Sequence, residues 1–291
     1  VSDALVAEWS SLADQLDFIE EFFGASGRAE AAELLRQNLS AEVDSAAQFE
    51  AHRRYAVSGA VPGDYGPRVA VTPLGAVFGQ IHDRRVDITG PFVDVVAHSF
   101  EDLDELRAAV ASTWSVFSPR FLRLRTRPGA HRRPYSRVLS TTYAARCVDM
   151  VNPDGCVELS RFKNIDEAMV LDSVWGDCEI EHWQESGHMW AIRSGGKVVG
   201  ALVIRPSSGG SLPTYEVEEK FVIPEHRGNG YSAAAQAVWA KTMASFDPAA
   251  VLTGGISPDN HASVRSAIRA GRRAVLDRVL VSLDGVVDEQ R

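Results

Sequence analysis

Runs of apolar and polar positions along the chain predict alternating strands and helices, a mixed α/β (α+β) fold with a central sheet flanked by helices. Helical character covers Ser10–Ala51. A hairpin-like Val69–Ile81 with Gly75 near its middle, an extended Val86–Val96, a helix over Glu101–Phe117 and a strand over Arg120–Thr126 follow. The turn-rich stretch Val151-Asn152-Pro153-Asp154-Gly155 then separates a strand-like Tyr143–Val148 from a strand-like Cys156–Arg161. Beyond it come a helix over Ile165–Trp175 and a hairpin of Met189–Arg193 with Lys197–Arg205 around Ser194-Gly195-Gly196. The strand Tyr215–Ile223, a glycine-rich turn, an alanine-rich helix, the strand Val251–Ile256, a helix opening at Asn260 and the strand Arg273–Leu283 complete the set. Hairpin, strand, helix, strand thus occurs twice, and the turn-rich stretch divides the chain into 1–150 and 151–291.

The most informative segment is Arg227-Gly228-Asn229-Gly230-Tyr231-Ser232-Ala233, directly after the extended Phe221-Val222-Ile223-Pro224. Tyr231, Ala234, Ala235, Val238 and Trp239 recur at helical spacing, so an amphipathic helix starts at or near Gly230. A glycine turn opening a helix presents unpaired backbone N–H groups and the positive end of the helix dipole, which suits a phosphate or pyrophosphate. Gly228 and Gly230 let a ligand approach the backbone, and Arg227 adds positive charge.

Gly228-Asn229-Gly230-Tyr231-Ser232-Ala233 also fits the dinucleotide fingerprint, which requires an acidic residue at the end of the next strand, about 20 residues on. Here Val251-Leu252-Thr253 runs into Gly254-Gly255 with no acid, too little chain follows for a doubly wound sheet, and Pro224-Glu225-His226-Arg227 separates strand from glycines. Hydride transfer is therefore set aside.

The run Val222-Ile223-Pro224-Glu225-His226-Arg227-Gly228-Asn229-Gly230 resembles the V-x-P-x-x-R-G-x-G signature of the GNAT superfamily of acyl-CoA-dependent N-acyltransferases, with Ser232 in the last, small-residue place of its core. Ser257-Pro258-Asp259-Asn260-His261-Ala262-Ser263, opening a helix that closes at Ala270-Gly271, is similar to the family's second segment. The resemblance implies a GNAT fold in two tandem copies, with 151–291 as the acyl-CoA-binding domain and 1–150 as a degenerate copy. It implies acetyl-CoA as cosubstrate and transfer of its acetyl group to an amine of a small molecule or peptide, by direct attack in a ternary complex. It places the pantetheine arm along the backbone of Val222 and Ile223. The diphosphate falls on Arg227, Gly228, Asn229, Gly230, Tyr231 and Ser232, and Asn260 and Ser263 flank the arm. Glu218 stands where several members carry a glutamate general base. Strict alternation along the strand would put Glu216, Glu218, Lys220 and Val222 on one face and Val217, Glu219 and Phe221 on the other.

Two positions depart from the family pattern. Ala267 stands where many members carry the tyrosine that protonates the leaving thiolate, with Ser263 or Ser266 as substitutes, and Gly271-Arg272 replaces a closing Gly-Phe. The departures keep open a second function, an acyl-CoA-binding sensor or regulatory module without effective catalysis. At the corresponding helix start of the first half, Ser99-Phe100-Glu101-Asp102 with Asp104 and Glu105 makes a good cap, but its carboxylates would repel a diphosphate. That half then serves as scaffold or shapes the acceptor site.

Charge and composition narrow the rest. A net charge of −9 argues against bulk nucleic-acid binding and is compatible with a cationic acceptor. Asp172, Asp177, Glu179 and Glu181 beside Trp175 and Trp183 read either as a seat for an amine or as an ordinary solvated segment with core tryptophans. Arg120, Arg123, Arg125, Arg127, Arg132, Arg133 and Arg137 form a basic block, read as a solvated strand face or as partners for carboxylates of the other half in preference to contact with nucleic acid or an anionic substrate. Three scattered cysteines, Cys147, Cys156 and Cys178, do not read as a disulfide framework, and the Cys178–His182 pair alone makes no metal site. With no membrane-length apolar run and no signal-peptide pattern, the expected setting is the cytoplasm, without metal; a homodimer is compatible with the sequence.

Overall fold

The protein is described by a computed structural model over residues 10–40, 68–82, 88, 90–130, 133–151, 157–162, 180–207 and 213–285. The expected helix Ile165–Trp175, the carboxylates Asp172, Asp177 and Glu179, Trp175, Cys156 and Cys178, Arg132 and most of the 151–155 turn lie outside the described residues, as does the Glu181 side chain. The chain forms two compact units, one of residues 1–141 with 275–291 and one of residues 142–274.

In the first unit, α1 (Ser10–Ser40) is broken at Gly24, whose φ of 71° no helix accommodates. β1 (Arg68–Thr72) and β2 (Gly75–His82) form the expected hairpin, and β2 pairs antiparallel with β3 (Phe92–His98). A bulge falls between the Phe78↔Ala97 and Gly79↔Val95 pairs, leaving Val96 as the extra residue of β3. The helix α2 (Leu103–Thr113) leads through a short 3₁₀ turn, Ser115–Phe117, to β4 (Phe121–Thr126), parallel to β3 over three pairs ending at Asp94↔Arg123. β5 (Ser136–Arg146) crosses the division between the units in sequence. The final strand, β11 (Arg273–Ser282), runs antiparallel to β4 from Asp277↔Thr126 to Ser282↔Phe121, so the end of the chain completes the first unit's sheet. Leu106, Val110, Trp114 and Phe117 from the helical layer meet Val77, Ile81, Leu122, Leu124, Val279 and Val281 from the strands in one core.

The basic strand β4 is not a solvated face. Arg123 is 4% exposed, stacks on Phe92, and gives Nε to Asp94 Oδ1 at 2.8 Å and Nη2 to Asp94 Oδ2 at 2.5 Å. Burial alone would raise the Asp94 carboxyl; the Arg123 hydrogen bonds and charge outweigh it and hold the group below the ordinary aspartate range. The partner is thus within the same unit, because parallel pairing sets Asp94 opposite Arg123.

The second unit repeats the order. β6 (Glu158–Ser160), α3 (Ile180–Glu185), β7 (Met189–Ser194), β8 (Lys197–Pro206), β9 (Thr214–Val222), α4 (Tyr231–Phe246), β10 (Val251–Ile256) and α5 (His261–Arg269) follow one another. β6 to β9 pair antiparallel in sequence, whereas β10 is parallel to β9. The alanines of α4 (Ala234, Ala235, Ala240) and Trp239 lie on Leu202, Ile204, Val217 and Leu252; such small side chains let a helix sit close to a sheet. The opposite face carries a second core of Ala201, Val203 and Phe221 with Phe162, Ile180, Trp183 and Met189.

The two units differ at the helix start that follows the bulged strand. Asp102 caps α2, its Oδ1 accepting from Asp104 N at 2.7 Å and Glu105 N at 3.1 Å, so the first unit has already satisfied two of its helix-end donors with a carboxylate. Asp102→Ala should cost about 1 kcal/mol in chemical denaturation of the intact chain. Because Asp104 and Glu105 remain, it should confer no affinity for inorganic phosphate.

Candidate active site

At the start of α4 the N-cap is Gly230, in the left-handed region at φ 76°, with no side chain closing the helix end. Gly228 also has positive φ, 86°, so the turn Arg227–Gly230 takes a path open to few residues other than glycine. Among the described residues nothing accepts from the amides of Gly228, Asn229, Gly230, Tyr231 or Ser232; the next amides, Ala233 N and Ala234 N, return to Gly230 O. A run of unsatisfied donors at the positive end of a sixteen-residue helix is a seat for anionic oxygens. Open space surrounds the position of a Cβ on Gly228, whereas one on Gly230 would stand 3.2 Å from the Arg269 guanidinium. The last turn of α5 therefore brings a second cation to the cradle, one that the linear motif does not announce.

The side chains of the turn do more local work than expected. Arg227 gives Nε to Val222 O at 3.1 Å and lies over the Phe221 ring at 5.7 Å, tying the turn to the end of β9. Asn229 Nδ2 donates to His226 O at 3.0 Å, and the Tyr231 hydroxyl accepts from Ser194 Oγ at 3.3 Å. These contacts leave the backbone amides of the turn and the outer face of the Arg227 guanidinium as what it can offer a ligand. Ile223 N is taken by Val199 O at 2.9 Å.

β9 and β10 pair over Val251↔Thr214, Leu252↔Tyr215 and Thr253↔Glu216 only. The ladder ends at Glu216; Gly254 still lies against Val217 O, and beyond it no β10 residue among the described residues pairs with β9 as far as Val222, which leaves that edge open. β9 also carries a bulge, between Val203↔Glu219 and Ile204↔Val217, with Glu218 as the extra residue. The bulge overturns strict alternation, because two successive residues then share a face. Glu216 and Glu218 both approach Arg205, at 3.8 and 2.9 Å, and Glu219 falls on the same side as Phe221 and its partner Val203. Val217 and Lys220 face the helices instead. In the first unit the bulge residue is Val96, which has no proton chemistry. Glu219 is exposed, yet nearby protein atoms and the Glu218 charge raise its carboxyl above the ordinary range.

Asn260 caps α5, its Oδ1 accepting from Ser263 N at 3.1 Å, and Ala267 is fully buried. Lys220 reaches α5: Nζ donates to Ser266 Oγ at 2.8 Å and to Ser263 O at 3.2 Å, and Ser266 Oγ lies 3.5 Å from Ser232 Oγ at the α4 start. Arg272, 2% exposed, sits behind this group with Nη1 3.5 Å from Tyr143 O. Arg205 and Arg269 carry no linear signal, and although the sequence marks Lys220 and Arg272, the contact of Lys220 with α5 and the burial of Arg272 come only from the bulge and the packing.

Residues 160–269 match the model of the Acetyltransferase (GNAT) family. This segment is a GNAT acetyltransferase domain. Members of the family generally use acetyl-CoA. A GNAT-family acetyltransferase from Colwellia psychrerythraea superposes with a TM-score of 0.51 at 9% identity, over 82% of this chain and 96% of that one, which establishes the shared fold. A GCN5-related N-acetyltransferase from Kribbella flavida gives 0.44 at 17% identity, over 82% and 93% of the two chains. A tandem GNAT protein from the clavulanic acid biosynthesis pathway gives 0.42 at 12%, over 96% and 94%. No curated protein matches the sequence.

Proposed function

We propose that the GNAT domain transfers the acetyl group of acetyl-CoA to an amine of a small molecule or peptide, by direct attack in a ternary complex. The observation that carries this reading is the glycine turn: five successive amides, Gly228 to Ser232, without an acceptor among the described residues, flanked by Arg227 and Arg269. That donor set fits a diphosphate. The open edge of β9 at Val222 and Ile223 gives the pantetheine arm a path toward Asn260 and Ser263 on α5. In this reading Glu218, set out of the ladder by the bulge, accepts the proton of the attacking ammonium directly or through a water, and Arg205 holds it in place. Glu216 and Glu219 share its face and make that side of the strand attractive to a cationic acceptor.

The first unit binds no cofactor in this scheme, since Asp102 occupies its helix end and Val96 stands at its bulge. No metal takes part. The setting in this scheme is the cytoplasm; the buried thiol of Cys147, pushed up to about 12 by burial and Asp247, is unreactive. Titration calorimetry with CoA should give one site per chain, and two sites would refute the division of labour. Release of free thiol from acetyl-CoA in the presence of an amine panel tests the activity itself. Tight binding with no release across the panel would favour the sensor reading, which the loss of the usual tyrosine at Ala267 supports.

A further inference from the structure

The acyl-transfer reading leaves one chemical task without an owner. Once the tetrahedral adduct collapses, the sulfur departs as a thiolate, and Ala267, buried and aliphatic, has nothing to give it. Ser263 and Ser266 are the nearest hydroxyls by sequence. Ser266 Oγ, however, already donates to Ser263 O at 3.0 Å, and an alcohol is a weak acid beside a thiol.

Lys220 is differently placed. It lies on β9 beyond the last pair with β10, two positions before Val222, so its backbone borders the open edge while its side chain crosses toward α5. Its ammonium has three N–H groups, and the described residues accept two of them, through Ser266 Oγ and Ser263 O. The third has no protein acceptor among the described residues. The two departures from the family pattern meet here: Ala267, buried on α5, offers no acidic side chain, and Arg272 places a buried cation near the ammonium.

We propose that Lys220 is the proton donor to the departing CoA thiolate, with Ser266 positioning its ammonium. The proposal rests on the acyl-transfer reading above. As the carbon–sulfur bond breaks, its electron pair goes to sulfur; an N–H bond of Lys220 then breaks, an S–H bond forms, and Lys220 is left as a neutral amine. Solvent reprotonates it, and the proton lost by the attacking ammonium balances the cycle, so that acetyl-CoA and R–NH₃⁺ give the amide, CoA thiol and one proton.

The surroundings match the task. Burial first, and the charge of Arg272 second, push the Lys220 ammonium down to about 7, with Glu219 acting weakly the other way. A donor in that range is protonated for part of the time at neutral pH and gives up its proton readily to a thiolate. Of the other elements around Nζ, α5 carries His261, Arg265 and Arg269 on exposed positions, α4 carries only Tyr231 and Lys241, and β10 has no charged side chain. Arg272 is therefore the group whose removal should move the titration most, raising it and carrying the alkaline limb of turnover to higher pH.

The test titrates the thiol of bound CoA by its thiolate absorbance, with CoA affinity followed in parallel by calorimetry. In the wild-type protein the bound thiol should ionise roughly 1–3 pH units below free CoA, because a thiolate beside an ammonium is stabilised. Lys220→Met should return the thiol to its free value while CoA still binds. Lys220→Arg should keep the depressed thiol but slow turnover, since a guanidinium holds its proton. Arg272→Met should keep the thiol depressed to a higher pH than in wild type. Identical thiol titration in wild type and Lys220→Met, with CoA bound to both, would overturn this proposal alone. Failure of the wild-type protein to bind CoA would overturn it together with the acyl-transfer reading.

Discussion

Acetyl-CoA at one hundred times its Kd should raise the melting temperature of the wild-type protein, and Arg227→Glu should abolish the rise. Binding only to the folded state contributes about 2.7 kcal/mol at that excess, which for a domain of this size is roughly 5–10 °C. The substitution acts twice. It removes the hydrogen bond from Arg227 Nε to Val222 O and the contact with Phe221, which hold the turn against the end of β9. It also sets a carboxylate beside the amides of Gly228 to Ser232, where a diphosphate has to sit. Arg227 is exposed, so the unliganded protein should melt within about 1 °C of wild type, as surface changes usually do. Arg269→Met removes the second cation without reversing charge and should reduce the shift rather than erase it. A full shift in Arg227→Glu would remove the glycine turn from the binding site.

The glycine turn was legible because it is local. Two glycines at positive φ, an arginine before them and an alanine-rich helix after them are fixed by neighbouring residues, and the structure has Gly230 as the N-cap of α4 and Asn260 as that of α5. The hairpin Met189–Arg193 with Lys197–Arg205, the strand Val251–Ile256 and the closing strand from Arg273 were legible for the same reason, since period and turn residues lie within each segment. What alternation could not show was the bulge at Glu218, which depends on how β8 pairs with β9 and moves Glu219 and Lys220 to faces opposite those expected. Nor could it show that β11 pairs with β4 of the first unit, or that Arg123 is buried against Asp94; both depend on which strand becomes a neighbour. Buried arginines such as Arg123 and Arg272 read as surface residues in a linear scan, because burial of a charge depends on a partner that sequence proximity does not supply.

The bulge also sharpens the test of the base. With Glu216, Glu218 and Glu219 on one face, a loss on removing any one carboxylate alone would not identify it, so the comparison has to run across all three. Glu218→Gln keeps the shape of the side chain and an oxygen for Arg205 but cannot accept a proton. Turnover should fall by roughly 10²–10⁴-fold while CoA affinity is unchanged, because the carboxylate face lies opposite the α4 side of β9. The loss should shrink as pH rises, since more of the acceptor amine is then neutral and needs no base. Glu219→Gln removes the carboxyl already raised by its surroundings, and Glu216→Gln the one in the last β9–β10 pair; each should cost less than about tenfold if it serves only to attract the cation. A larger loss in Glu219→Gln than in Glu218→Gln would transfer the base to Glu219, whose raised carboxyl is better matched to a proton near neutrality. Equal and small losses in all three would mean that the acceptor arrives already neutral. In that event Glu218 is held by Arg205 as a structural pair at the bulge, and the chemistry of this domain rests on the turn and on Lys220.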